Sequence, residues 1–192
     1  DLIDCGKIPV ARLETIHRQS EKSRIAKNSK EIRKGSLALD WGKDFQMISA
    51  DSIEETAEKI ISLYATLVQE FSKEEVVVLT PYRRNTATGS RQLNERIRDV
   101  MNPARQGIRE LTVGKDRRIY RVGDRVMQCR NIGAVRNGDI GEIIDIKRDE
   151  ATGEMIVLVR FEGGIHREYA RESLTELELA YAMTIHKSQG SE

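Results

Sequence analysis

The sequence predicts an α/β protein interrupted by a block of short, closely spaced strands, and three observations predict it. An amphipathic segment over 53–71 is followed by the run Glu75-Val-Val-Val-Leu-Thr80 and a second helical segment from Ser90. Helix, strand, helix in succession is the pattern of an open α/β sheet. After about residue 112 the helical period gives way to short apolar runs, separated by turn signals at Val122-Gly-Asp, Asn137-Gly-Asp, Ala151-Thr-Gly and Gly163-Gly164. Such spacing argues a small antiparallel barrel or meander. A longer apolar run over 177–185 then returns, which makes the β block an insert within the α/β part.

Each element follows from local pattern. Residues 8–13 read as a short extended strand. Residues 20–34 fit a helix, with Ile25, Ser29 and Ile32 at three-to-four spacing and Gly35 just past its end. Residues 45–49 alternate like a strand. The helix over 53–71 places Ile53, Ala57, Ile60, Ile61, Tyr64, Leu67, Val68 and Phe71 on one face, with Ser52 and Glu55 as a capping box. The 75–80 run, ended by Pro81, reads as a strand buried on both faces. Over 90–101, Leu93, Ile97 and Val100 turn inward, and Asn102-Pro103 ends the helix. Short strands are expected at 118–120, 125–129, 140–146, 155–161 and 165–169. Asn137-Gly138 is a primed-turn dipeptide, and Gly141 lets a twisted strand bend.

Composition narrows the class. The 192 residues suit one domain or one domain with an insert, 39% hydrophobic and 33% charged. No apolar run approaches the ~20 residues that span a bilayer, and Asp1-Leu-Ile-Asp4 does not resemble a signal peptide. A soluble, cytoplasmic protein with no membrane partner is the expectation. Cys5 and Cys129 lie far apart, and His17, His166 and His186 share no ligand spacing, so no metal site is expected. The net charge of +1 hides an asymmetry. Residues 83–136 carry 14 Lys/Arg against 5 Asp/Glu, whereas 137–192 carry 6 against 12. A basic middle third is what a phosphate-facing surface looks like in sequence, and equally what a solvated face neutralised by acidic neighbours looks like.

Four segments concentrate polar chemistry. Ala180 opens a short apolar stretch that runs into Thr184, His186, Lys187, Ser188, Gln189, Gly190, Ser191 and Glu192, as suits the mouth of an α/β sheet, where ligands bind beyond the carboxyl ends of strands. No nucleophile is paired with His186, so it is not read as a general base. In Leu13-Glu-Thr-Ile-His-Arg-Gln19, Arg18 reads by itself as a surface residue capping the following helix, although its planar fork suits phosphate oxygens where a resemblance implies that role. Leu79-Thr-Pro-Tyr-Arg-Arg-Asn85, continuing to Asn94, places donors after a strand. Backbone N–H groups near Gly89-Ser90 offer a phosphate site at a helix start. Tyr82 either stacks on a base or packs beneath the loop. Arg121-Val-Gly-Asp-Arg-Val-Met-Gln128, with Arg130-Asn131 and Asn137 to Glu142, opens the β block. Arg118, Arg121, Arg125, Arg130 and Arg136 read by themselves as parts of a structural barrel, and only the resemblance given next implies that they contact a strand.

Together these segments resemble RecD-like superfamily 1 DNA helicases, the family that includes the exodeoxyribonuclease V alpha subunit. The stretch from Ala180 resembles motif V in its Thr-x-His-Lys-Ser-Gln-Gly form, and the Arg18 stretch resembles motif IV. The Leu79 loop resembles the family's post-strand loop, and 121–142 resembles the start of its SH3-like barrel. The resemblance implies a RecA-like second motor lobe, a parallel sheet with flanking helices, carrying an inserted small SH3-like β-barrel. Residues 1–112 would be the first part of the lobe, 113–176 the insert, and 177–192 the return strand with motif V. It implies a fragment of an ATP-dependent 5′–3′ helicase serving DNA repair and recombination. Arg18 would be catalytic, and Arg18, Gln19, Gly190 and Glu192 would bind ATP. Thr80, Arg83, Arg84, Asn85, Ser90, Arg130, Asn131, Thr184, His186, Lys187 and Ser188 would bind single-stranded DNA. ATP and Mg²⁺ would serve the parent, whereas this stretch is expected to hold none. The glycines of Gly6-Lys, Gly42-Lys and Gly114-Lys lack both the upstream glycine and the following hydroxyl of a P-loop. Implied partners are single-stranded DNA, the first RecA-like lobe of the same parent and recombination-complex subunits. The helicase half of a conjugative relaxase, or a non-catalytic nucleic-acid-binding module derived from a helicase lobe, would carry the same motifs.

Overall fold

The computed structural model describes Gly6, Pro9 and residues 23–189. The strand expected over 8–13, apart from Pro9, therefore lies outside the described residues. The chain divides into two units, 1–49 and 50–192.

In the first unit, helix α1 (Arg24–Arg33) starts where Ser23 caps it, its Oγ accepting from Ile25 N at 3.2 Å. Its inner side is Ala26 and Asn28, while Ile25 and Ile32 are exposed, contrary to the face expected from their spacing. Asn28 explains the difference. Its amide donates to Asp40 O at 2.8 Å and its Oδ1 accepts from Asp40 N at 2.9 Å, which holds the following loop against the helix. Asp44 closes the loop on Arg24 N (2.8 Å) and Arg24 Nη1 (3.0 Å). The strand expected over 45–49 does not form. Phe45 instead exchanges two backbone hydrogen bonds with Gly42 and stacks on Trp41, and alternation without a partner strand leaves Met47 and Ile48 exposed.

The second unit begins with α2 (Ile53–Glu70). Ser52 Oγ accepts from Glu55 N at 3.1 Å, and the Glu55 carboxylate reaches back to Asp51 N at 2.6 Å. A cap of this kind is worth ~1 kcal/mol. Ala57, Ile61 and Tyr64 pack with Leu93 and Ile97 of α3 (Ser90–Met101), with Val76, Tyr181 and Ala182 completing the cluster. Each fully buried aliphatic side chain contributes about 1.5–3 kcal/mol. Val100 points outward instead of inward. The inner arc of α3 is Leu93, Asn94, Ile97 and Arg98, one helical stripe whose two polar members are buried because they bind backbone. The Asn94 amide donates to Ala182 O (2.7 Å) and accepts from Ala182 N (2.8 Å), and Arg98 Nη1 donates to Ile119 O at 2.9 Å.

Strand β1 (Val78–Thr80) is shorter than the apolar run and pairs in parallel with β9 (Ala182–Thr184). Burial on both faces is not found. Val78 joins the helical core, but Leu79 on the opposite face is exposed, β9 being the strand partner of β1 among the described residues.

Among the described residues all other pairing is antiparallel. β2 (Glu110–Val113) pairs with β3 (Arg118–Arg121), a hairpin the sequence pattern did not reveal. A five-stranded sheet runs β7 (His166–Ala170), β6 (Met155–Phe161), β5 (Ile140–Arg148), β4 (Arg125–Gln128), β8 (Leu177–Leu179). Its core gathers Val126, Ile143, Ile146, Val157, Val159, Phe161, Tyr169 and Leu177, with Tyr120 from β3. Ile143 and Ile146 are three apart and would face opposite sides of a regular strand. A register shift between Ile143 and Asp145 inserts the extra residue that lets both face inward. Gly141 serves close approach as well as bending, since a Cβ there would stand 2.8 Å from Arg160 O and from Val159 Cγ1. In the turn closed by Asp139 N donating to Arg136 O, Gly138 has φ 100° but Asn137 does not take positive φ. Both primed types need positive φ at the first central residue, so this turn is not primed.

The apolar run over 177–185 is not one strand. Leu177–Leu179 stay in the five-stranded sheet beside β4, the chain bends at Ala180 and Tyr181, and only then does β9 join β1. By strand pairing, Leu177–Leu179 share the five-stranded sheet of the β block. Thr184 then caps a single helical turn, α4 (Ile185–Ser188).

Candidate nucleic-acid interface

Thr80 and Thr184 are register partners at the carboxyl ends of β1 and β9. The two polar segments that follow them, 81–89 and 185–189, therefore leave the sheet side by side. Such an end is where α/β sheets present ligand groups.

The first loop is ordered by its own hydrogen bonds. Thr80, 3% exposed, donates through Oγ1 to Thr88 O at 2.7 Å and accepts from Tyr82 N at 3.2 Å. Its hydroxyl is spent inside the loop and is not aimed outward. Gly89, Ser90 and Arg91 N–H groups donate to Thr86, Tyr82 and Arg83 carbonyls. The phosphate site expected from these N–H groups is therefore filled by the loop itself, and Ser90 is buried. Asn85 takes φ 66° and shapes the turn. What the loop presents is Tyr82, 58% exposed rather than packed beneath it, together with Arg83, Arg84 and Asn85. Arg84 has no hydrogen-bond or ion-pair partner among the described residues.

In the second segment, Thr184 Oγ1 accepts from Lys187 N at 3.3 Å as the cap of α4. The helical turn overrides the alternation that would set Thr184 and His186 on one side of a strand. His186 lies on α4 and is exposed, and Ser188 Oγ donates to Ile185 O at 2.8 Å.

Glu178 of β8 links the two loops, and sequence reasoning missed it. Its Oε1 accepts from Arg83 Nη2 at 2.7 Å and its Oε2 from Lys187 Nζ at 2.5 Å. Burial alone would raise its pKa. The hydrogen bond and charge of Lys187, with the charge of Arg83, outweigh burial and hold the carboxyl below the usual glutamate range. Lys187 Nζ also lies 3.5 Å from Cys129 Sγ. Burial, then the Glu178 charge, pushes that thiol upward. Arg130 and Asn131 follow Cys129 directly and are exposed, with Asn131 Oδ1 accepting from Asn137 N at 2.8 Å. A pocket of about 150 Å³ opens beside this cluster, lined by Arg83, Arg84, Arg91 and Arg118 and by Glu95 and Glu178.

Two of the five arginines proposed for the β block serve structure instead. Arg121 is buried against Glu110 (2.8 Å), Asp99 (3.0 Å) and Asn102 O (3.0 Å). Buried Arg125 donates to the carbonyls of Lys73, Glu74 and Val76, closing the segment before β1. Arg18, Gln19, Gly190 and Glu192, the residues expected at ATP, lie outside the described residues. Among the described residues no group of His, Cys, Asp and Glu is arranged to hold a metal ion, and no helix is long and apolar enough to cross a membrane.

Residues 93–161, from α3 through β6, match the SH3 domain of ATP-dependent RecD-like DNA helicases, so the mixed α/β chain carries an SH3-like unit of helicase type. Across 187 residues the chain is 29% identical to the ATP-dependent RecD2 DNA helicase of Deinococcus radiodurans, covering 96% of this chain and 24% of that protein. The chain is thus similar to RecD-like helicases over these stretches and spans about a quarter of the length of that relative.

Proposed function

We propose that the chain forms part of the second, RecA-like motor lobe of an ATP-dependent DNA helicase moving 5′ to 3′, and that it supplies contacts to single-stranded DNA. The observation that carries this reading is the in-register pairing of Thr80 with Thr184. It sets a basic loop with an exposed tyrosine next to the motif V segment at one sheet end. Arg83, Arg84, Asn85 and Lys187 hold phosphates, Tyr82 stacks on a base, and Arg130 and Asn131 extend the track along the β4–β5 loop. Thr80, Ser90, Thr184 and Ser188 set the shape of the two loops, while His186 faces the strand. Arg18, Gln19, Gly190 and Glu192 complete, with the first lobe of the parent, a cleft for ATP and Mg²⁺. Recombination-complex subunits are further partners of the parent.

Binding of a labelled single-stranded oligonucleotide, followed by anisotropy against salt, tests the reading. The expected affinity is weak, with Kd on the order of 10⁻⁴–10⁻⁶ M, and falls steeply between about 50 and 200 mM salt because phosphate contacts dominate. Arg83→Glu combined with Arg84→Glu weakens binding at every sequence tested. Affinity that ignores both salt and these changes rejects the interface.

A further inference from the structure

Arg83 and Lys187 stand on different segments, yet both are held by the two oxygens of one carboxylate. The Glu178 side chain is 30% exposed, and so is that of Lys187, while Arg83 is 58% exposed. The cluster therefore opens to solvent and to the adjoining basic pocket, where Glu178 is an acidic member among arginines. A carboxylate receiving one guanidinium and one ammonium uses the donors that would otherwise clasp two oxygens of a phosphodiester. Its own strand is fixed independently, by Leu177 in the barrel core and by the pairing of β8 with β4.

From this arrangement we infer that Glu178 is an intramolecular competitor of the nucleic-acid backbone. It occupies the donors of Arg83 and Lys187 in the free protein and yields them to a phosphate when a single strand binds, so that it sets the affinity of the site. The inference rests on the DNA-binding reading above. Two things follow. The free protein keeps its two loops in the geometry of the bound state, because Glu178 substitutes for phosphate. Each binding event must also break contacts before it makes new ones, which keeps the grip weak enough for a strand to be released. The depressed carboxyl pKa keeps Glu178 charged throughout the neutral range.

The test compares the 192-residue chain with Glu178→Gln, which keeps shape and removes charge, in binding an oligothymidylate of about 12 nucleotides. Sparing the two donors this exchange tightens binding by about the worth of one phosphate contact on a single strand (a slope of about 0.7), roughly a fivefold gain in affinity near 0.1 M salt. Glu95→Gln, which removes a charge from the same pocket without touching Arg83 or Lys187, should tighten binding by less than about twofold once salt screens it. If the wild type binds and Glu178→Gln binds no better, or if Glu95→Gln gains as much, Glu178 is not a competitor and the DNA-binding reading stands. Should neither wild type nor Glu178→Gln bind, the DNA-binding reading falls and this inference with it. A measurement on the wild type keeps the question open to refutation even if the variant fails to fold. On saturation with the oligonucleotide, the ¹³C signal of the Glu178 carboxyl must shift as its partners leave. An unmoved signal in a formed complex overturns the proposal.

Discussion

The hydroxyl of Tyr181 donates to Oδ1 of Asp124 at 3.2 Å, joining the bend between β8 and β9 to the residue that opens β4. The same carboxylate accepts from Asn102 Nδ2 (2.8 Å) at the end of α3 and from Arg121 N (2.7 Å). One buried aspartate thus ties helix, hairpin and return strand together. Burial raises its pKa in spite of these donors, so it depends on each of them.

Tyr181→Phe should cost about 1–2 kcal/mol, because the buried carboxylate loses a donor without gaining water. Thermal unfolding followed by circular dichroism measures it. A midpoint equal to that of the wild type would show that the other donors suffice.

Acid should destabilise the fold partly through Glu178. Its folded pKa is depressed, so its stabilisation is complete above the ordinary glutamate value of about 4.3 and is lost as pH falls through the lower folded value. Asp124 works in the opposite sense. Its raised folded pKa penalises the charged form, and that penalty is relieved as pH drops below the raised value. Melting midpoints of Glu178→Gln should therefore fall less steeply than wild type between about pH 5 and pH 3. Parallel curves would show that the Arg83 and Lys187 pairs contribute nothing to stability.

Arg125→Met should destabilise by about 2–4 kcal/mol, since the carbonyls of Lys73, Glu74 and Val76 lose a buried charged donor. The salt slope of DNA binding should not change. A shallower slope with normal stability would return Arg125 to the interface.

Gly141→Ala should cost about 1–3 kcal/mol, because the new methyl group meets the β6 backbone. Gly138→Ala, at φ 100°, should cost ~1 kcal/mol through backbone strain. Urea unfolding of both variants checks the ranking, and a larger loss at Gly138 contradicts it.

ATP hydrolysis by the 192-residue chain should stay at background with or without DNA. The chain lacks the glycine-rich cradle and lysine that hold the β- and γ-phosphates. DNA-stimulated phosphate release from the purified chain would contradict the proposed lobe assignment.

The sequence by itself determined the elements whose signal is local. α3 spans the predicted residues 90–101, β6 the predicted 155–161, and Ser52 caps α2 where the pattern placed it. Hydrophobic period and cap chemistry act within a few residues of chain, so they are written where they act. The pairing of basic loop and motif V segment was legible as two motifs but not as neighbours. Only the tertiary structure decided that Thr80 meets Thr184, and that the 177–185 run divides between two sheets at Ala180 and Tyr181. It also decided which arginines of the basic third face solvent. Arg84 does, whereas Arg98, Arg121 and Arg125 are buried on carbonyls and carboxylates contributed by distant segments. A charge count cannot separate these cases, because the free energy of an arginine is set by partners the chain brings to it only on folding. Glu178 belongs to the same class. In sequence it is one acid in an acidic tail, and it becomes the joint of the site only where Arg83 and Lys187 converge on it.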